Sequence, residues 1–209
     1  MTASARLPEA IRIFLLGHFI HWGALALVDR MVANYPSVSD ILLDRLPPLK
    51  LFLIGELYFA GLLIFYLWHF SRRQSQDLSY GLAVVGLFYA LRGLFLLFLP
   101  IGGPHGAIPP TDRFVLWPFP SHAYFPGGHL GLMFLLGFLL RDRQGRRWFL
   151  IGAAIFGLGS LLTKAHYTAD LLGGLLLGYG VFLYGERALR QRYAPVTPRS
   201  PSPVGGASQ

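Results

Sequence analysis

The chain contains no cysteine, which excludes disulfide bonds and thiolate-bound metal ions. Charged residues are also scarce. They make up 13% of the 209 residues, about half of their usual share in soluble domains, whereas hydrophobic residues make up 54%. No cleavable signal peptide is expected, because the first apolar run is long and is followed by Asp29 and Arg30 rather than by small residues. Together these features indicate an integral membrane protein that keeps its first apolar segment as a helix.

The net charge of +8 comes from Lys and Arg residues that form short clusters between the apolar runs. Proteins that bind nucleic acid more often present such residues as one continuous basic stripe or face. We therefore expect the headgroups of membrane lipids, and no nucleic acid, as the anionic partners.

Six segments approach the roughly 20 apolar residues that a helix needs to cross about 30 Å of hydrocarbon. They are residues 11–28, 49–70, 78–99, 124–140, 148–164 and 167–184. This pattern predicts an all-α fold, a bundle of six transmembrane helices within a membrane domain of residues 1–193. Residues 194–209 are rich in Pro, Ser and Gly, which predicts a disordered tail. The last three spans are short, which predicts that their ends are recessed in a cavity within the protein.

The basic residues also predict an orientation. With the N-terminus inside, 12 of the 18 Lys and Arg residues lie on the inner side and 5 on the outer side, while Arg92 lies within a span. The positive-inside rule then places both termini in the cytoplasm. The loops 29–48 and 100–123 and the turn at His166 would face outward. We expect a bacterial inner-membrane protein whose site faces the periplasm or the outer leaflet.

The strongest chemical motif pairs His166 with Asp170 at the outer start of the last span. At this spacing the two side chains would share one helix face, so the carboxylate can orient the imidazole as a nucleophile or base. The alternative is an interfacial histidine followed by an aspartate that only caps the helix. A second outward-facing histidine, His129, follows Gly127 and Gly128, where a helix N-terminus favours a bound phosphate.

These motifs carry a resemblance to a known family. Phe125-Pro-Gly-Gly-His129 resembles the S-G-H segment of sphingomyelin synthases and their ceramide phosphoethanolamine relatives, and Ala165-His-Tyr-Thr-Ala-Asp170 resembles their H-Y-T-x-D segment. Residues 36–40, which end in Asp40, resemble the P-P-L-P-D stretch that follows the first helix of the family. Arg92 with the prolines that follow it is similar to the third-helix R…L-P-x-P-G segment.

The resemblance implies a membrane phosphotransferase. It would move a phosphocholine- or phosphoethanolamine-like headgroup from a glycerophospholipid to a ceramide-like or diacylglycerol alcohol, through a phosphohistidine and with no cofactor or metal. It further implies that His166 and Asp170 form the nucleophilic pair and that His129 assists the leaving group. Two rival functions stay open: a lipid phosphatase or phospholipase C that uses water as acceptor, and a lipid-binding or transport protein without turnover.

The sequence also departs from the pattern. Gly127 stands where the family has serine, and Ser160 stands where the wider type-2 phosphatidate phosphatase superfamily has an arginine of its phosphate clamp. The K-x6-R-P motif of that superfamily is missing as well. This favours the synthase branch and leaves the phosphate-binding cation open among Arg92, Lys164 and Arg113. A charge inside a span is usually functional, although Arg92 can also extend to the headgroups.

Aromatic residues near the motifs, among them Tyr124 and Tyr167, suit either of two roles. They can contact a quaternary ammonium headgroup, or they can form an interfacial belt. With Gly128 and Asp40 they complete the predicted substrate-binding residues. A less favoured alternative is a haem held by His18 or His21 of the first span and His69 of the second span.

Overall fold

The computed structural model describes residues 3–31, 37–47, 49, 52–73, 77–105 and 125–193. Across this part of the chain the predicted all-α fold is confirmed, and no β-strand occurs. The helices longer than ten residues are α1 (Ala3–Met31), α2 (Phe52–Arg73), α3 (Leu78–Phe98), α4 (Gly128–Leu139), α5 (Arg143–Leu162) and α6 (Thr168–Tyr184). A π-helical turn, Gly185–Leu189, joins α6 to the short α7 (Arg190–Tyr193), and the loop after α1 contains a 3-10 turn, Leu43–Arg45. The predicted tail, 194–209, lies outside the described residues.

Three helical segments are long and apolar enough to cross a membrane: Arg6–Met31, Leu78–Phe98 and Thr168–Tyr193. They correspond to the first, third and sixth predicted spans, which supports the predicted membrane location. The apolar α4 is shorter than these segments. That all six helices cross the membrane stays a prediction.

Several helix bounds differ from those predicted by hydropathy. The fourth helix has 12 residues and begins at Gly128 rather than at residue 124. At 1.5 Å per residue it is about 18 Å long, well short of the hydrocarbon thickness. The fifth helix begins five residues earlier than predicted, at Arg143, because the Asp142 carboxylate accepts a hydrogen bond from the Gly145 N–H at 2.6 Å and caps it. Hydropathy does not detect such a cap.

The helices alternate in direction, so the connections gather at two ends. Asp77 before α3 is paired with Arg141 after α4 at 2.8 Å, and Glu9 of α1 pairs with Arg192 of α7. We call this the arginine end. The opposite, histidine end contains the starts of α2, α4 and α6 and the last turns of α1, α3 and α5. The sequence predicts that most basic clusters lie on the inner side of the membrane. As far as the structure describes these clusters, they lie at the arginine end.

Glycines allow two pairs of helices to pack closely. A Cβ atom at Gly86 of α3 would lie 2.6 Å from the backbone oxygen of Ile13 in α1, and one at Gly131 of α4 would lie 2.7 Å from the backbone oxygen of Gly174 in α6. Such small-residue contacts are typical of helix packing in membranes. They hold α1 against α3 and α4 against α6, which positions the polar side chains of the histidine end.

The absence of cysteine makes the orientation easy to test, because a single introduced cysteine is labelled without background. We expect an impermeant maleimide to label His105→Cys, in the exposed turn at the histidine end, in intact cells. It should label Arg143→Cys, at the start of α5, only after lysis. The reverse labelling pattern would contradict cytoplasmic termini. Labelling of a cysteine at residue 209 in intact cells would contradict them as well.

Candidate active site

The proposed nucleophilic pair lies where the chain turns from α5 into α6. His166 precedes the first residue of α6, Thr168, so the two side chains do not share a helix face as predicted; the turn brings them together instead. His166 Nδ1 lies 3.5 Å from Asp170 Oδ2. That oxygen also accepts the Tyr167 N–H at 3.0 Å, so Asp170 does cap the helix. Its Oδ1 atom is buried and has no hydrogen-bond partner within the described residues.

The second histidine faces the first. His129 is in the first turn of α4, and its ring centroid lies 6.5 Å from that of His166. Phe59 of α2 packs edge-on against the His129 ring at 4.5 Å, and Phe156 of α5 lies 6.3 Å from it. His129 is nevertheless exposed, whereas His166 is only partly exposed. The two imidazoles therefore lie next to each other, and aromatic rings of α2 and α5 pack against His129.

Arg92 of α3 is buried next to the first turn of α4. Its Nε donates to the backbone oxygen of Pro126 at 3.0 Å, and its charge lies close enough to Asp170 to attract that carboxylate. A Cβ atom at Gly128 would lie 2.5 Å from Arg92 Nε and 2.6 Å from Cζ. Glycine at position 128 therefore makes room for the guanidinium under the first turn of α4.

His21 of α1 accepts a hydrogen bond from Arg92, and the sequence alone did not indicate it as a site residue. Arg92 Nη1 donates to His21 Nε2 at 2.9 Å. A guanidinium has no acceptor, so this ring nitrogen must be unprotonated and His21 neutral. A polar residue within the first apolar span was the available signal. We linked it to haem instead, but His69 lies beside Asp142 at the arginine end, far from His21.

Asp40 connects the loop after α1 to the start of α6. Its Oδ2 accepts the Thr168 N–H at 2.6 Å, and its Oδ1 accepts the Thr168 hydroxyl at 3.0 Å and the Leu43 N–H at 3.0 Å. Burial alone would raise the pKa of the Asp40 carboxyl, but these hydrogen bonds outweigh burial and hold the pKa below its usual range. Asp40 was predicted to bind substrate; in the structure it caps the helix that carries Asp170.

The lowered pKa of Asp40 predicts acid sensitivity of this connection. The stabilisation is complete above the unfolded-state pKa of about 3.9 and is lost as the pH falls through the lower folded-state pKa. At pH values below about 4 we expect the melting temperature to decrease. The decrease should be less steep in Asp40→Asn. Thermal unfolding between pH 3 and pH 6 checks this expectation. Identical pH profiles of the two proteins would contradict it.

Other predicted binding residues occupy different positions. Lys164 is buried beside the site in a backbone conformation with φ of 51°, and no ion pair or side-chain hydrogen bond of its ammonium occurs among the described residues. Tyr167 is buried, and its hydroxyl accepts the Val38 N–H at 3.1 Å, which pins the same loop as Asp40. Tyr124 and Arg113 lie outside the residues that the structure describes.

The site as a whole is suited to an anion. The N-termini of α4 and α6 both begin here, and each carries a partial positive charge. Arg92 lies against the first turn of α4, Lys164 is buried just before the turn into α6, and the buried Asp170 lies 3.5 Å from His166. The arrangement can therefore hold a phosphate next to two imidazoles, one of which lies 3.5 Å from a carboxylate.

Comparison of the chain with protein-family models and with curated proteins finds no match. The likeness to sphingomyelin synthases thus rests on the motif residues alone, and a function has to be derived from the chemistry of the site.

Proposed function

We propose that this chain is a membrane phosphotransferase that moves a phosphocholine- or phosphoethanolamine-like headgroup from a glycerophospholipid to a ceramide-like or diacylglycerol alcohol. The observation that carries the proposal is that His129 lies beside His166, whose Nδ1 atom is 3.5 Å from the buried Asp170 carboxylate. These residues come from two separate segments of the chain, and they meet beside a buried arginine. A helix cap or an interfacial histidine alone requires no second histidine at this place.

In the first half-reaction, the contact of 3.5 Å between Asp170 Oδ2 and His166 Nδ1 shortens to a hydrogen bond, which leaves Nε2 as the nucleophile. Nε2 attacks the phosphorus of the donor lipid, a phosphohistidine forms, and the bond from phosphorus to the diacylglycerol oxygen breaks. His129 gives its proton to that oxygen, so diacylglycerol leaves as an alcohol. Arg92, Lys164 and the N-terminus of α4 attract the phosphoryl oxygens during the attack.

In the second half-reaction, the acceptor hydroxyl enters where diacylglycerol left. His129 now accepts the hydroxyl proton, the acceptor oxygen bonds to phosphorus, and the bond to His166 Nε2 breaks. Both histidines thereby return to their starting protonation states. Because water can take the place of the alcohol, hydrolysis is the competing reaction of the same intermediate.

The direct test supplies the purified protein with labelled ceramide or diacylglycerol and separate phosphatidylcholine and phosphatidylethanolamine donors, and then separates the products. We expect the headgroup on the labelled acceptor together with released diacylglycerol from the donor. Free headgroup phosphate without acceptor product would identify a hydrolase. Saturable lipid binding without any product would instead identify a binding protein.

A further inference from the structure

A second polar cavity lies at the arginine end, on the far side of the molecule from the two histidines. It encloses about 250 Å³ between the start of α3, the end of α4 and the end of α6. Its polar walls are formed by Asp77, Tyr80, Arg141, Arg146, Glu186 and Arg190. Aromatic rings close another side, where Phe138 packs against Phe182 at 5.5 Å between centroids. The phosphotransfer chemistry uses none of these residues.

Two of the three arginines are fixed by carboxylates. The buried Asp77 accepts a hydrogen bond from Arg141 at 2.8 Å. Glu186 accepts one from the Tyr80 hydroxyl at 2.8 Å and is also paired with Arg190. Each of these carboxylates binds only part of a guanidinium, which has five N–H donors. The pairs therefore hold two long cationic side chains in place at the cavity wall.

The third arginine, Arg146, has no carboxylate partner among the residues that the structure describes. Arg146 donates its Nε–H to the backbone oxygen of Leu140 at 2.7 Å, and no ion pair of Arg146 occurs in the described part of the chain. This bond directs the guanidinium while its terminal nitrogens stay available. Three arginines against two carboxylates give the cavity a net positive charge. Planar guanidinium groups held in this way suit a phosphate group.

The π-helical turn gives the cavity its shape. It places Glu186 and Arg190 together in the wall, and such turns occur frequently at functional sites. A Cβ atom at Gly185 would lie 2.8 Å from the Val84 side chain and 3.1 Å from the Tyr80 hydroxyl, so glycine lets this turn approach α3. The exposed Arg187 of the same turn raises the local concentration of anions.

We propose that the cavity binds a phosphate group, carried by an anionic lipid headgroup or free in solution. Basic pockets between membrane helices on the cytoplasmic side recognise lipid headgroups in this way, and the predicted orientation places the arginine end on that side. The volume admits a phosphate with a small substituent rather than a large headgroup. The proposal does not depend on the phosphotransfer reaction.

The test is a calorimetric titration of the purified full chain in uncharged detergent. The probes are dioctanoyl phosphatidic acid, inorganic phosphate and dioctanoyl phosphatidylcholine. We expect saturable binding of phosphatidic acid that Arg146→Gln weakens by about 10- to 150-fold, the effect of losing charge-assisted hydrogen bonds. Arg147→Gln is the matched control: it removes the same charge one residue later, outside the cavity, and should change the affinity by less than about twofold.

Binding of inorganic phosphate that is equally sensitive to Arg146→Gln would identify the free anion as a sufficient ligand; binding of phosphatidic acid alone would identify the lipid. Equal weakening by both arginine variants would overturn the proposal, because it would show only general attraction to a basic surface. Phe138→Trp keeps every charge and fills the cavity. It therefore tests the cavity independently if Arg146→Gln does not fold. If Phe138→Trp binds phosphatidic acid as the parent does, the cavity is not the site.

Discussion

Replacing His166 by alanine should reduce headgroup transfer to background while folding and lipid binding survive. The change removes the proposed nucleophile, and no other histidine among the described residues lies next to the Asp170 carboxylate. The measurement is a rapid quench with phosphorus-labelled donor lipid, followed by a search for acid-labile, base-stable label on the protein. The parent should carry this label and His166→Ala should not.

Two further histidine variants sharpen this test. His129→Ala should slow transfer by about 100- to 10,000-fold, the usual contribution of general acid catalysis, and should still form the label with an activated donor that needs no proton. His105→Ala removes an exposed histidine outside the site and should act as the parent does. Full turnover by His166→Ala would show that the chemistry lies elsewhere.

Asp170→Asn should lower the transfer rate by about four orders of magnitude, as the comparable change does in a Ser-His-Asp triad. Asparagine keeps an oxygen that can accept the Tyr167 N–H, so the cap of α6 can survive. It loses the negative charge that stabilises the His166 imidazolium and that attracts Arg92. Steady-state rates are measured together with the melting temperature of each variant. A lower rate at an unchanged melting temperature separates the lost charge from unfolding.

The chain contains its own control for Asp170. Asp142 caps α5 and lies 3.6 Å from His69 at the arginine end, so it forms a His–Asp pair that closely matches the 3.5 Å pair of the site. Asp142→Asn should leave the transfer rate within about twofold of the parent. A large effect there, or no effect at Asp170, would separate the reaction from the proposed pair. Two such similar pairs also show that a His–Asp contact alone does not define a site; the proximity of His129 distinguishes one from the other.

Residue spacing anticipated part of this geometry. The two-histidine motif predicted that His129 and His166 would lie at the same end of the bundle, and the structure places their rings side by side. The reason is that alternating helices return to the same end, so motifs at the starts of the fourth and sixth helices must meet there. Hydropathy predicted the apolar helices for a different reason, because a helix satisfies the backbone hydrogen bonds of a long apolar run within a membrane.

The remaining features depend on tertiary contacts that no periodicity encodes. His21 is in an apolar segment, and only the packing of α1 against α3 turns it into the acceptor for Arg92. The role of Asp40 arises from a hydrogen bond to Thr168 in another part of the chain. Asp142 starts α5 earlier than the apolar residues do, because a side-chain cap outweighs hydropathy at a helix end.

The bond between Asp40 and Thr168 also determines when the site can exist during synthesis. The aspartate emerges from the ribosome 128 residues before the threonine that it caps. A growing chain that already contains α1 to α3 has Arg92 and His21 in place, but the start of α6 has yet to be made. The proposed nucleophile His166, its neighbour Asp170 and the capped Thr168 are therefore added together and late, whereas the capping Asp40 is made early. We therefore expect a chain that ends before His166 to show no headgroup transfer.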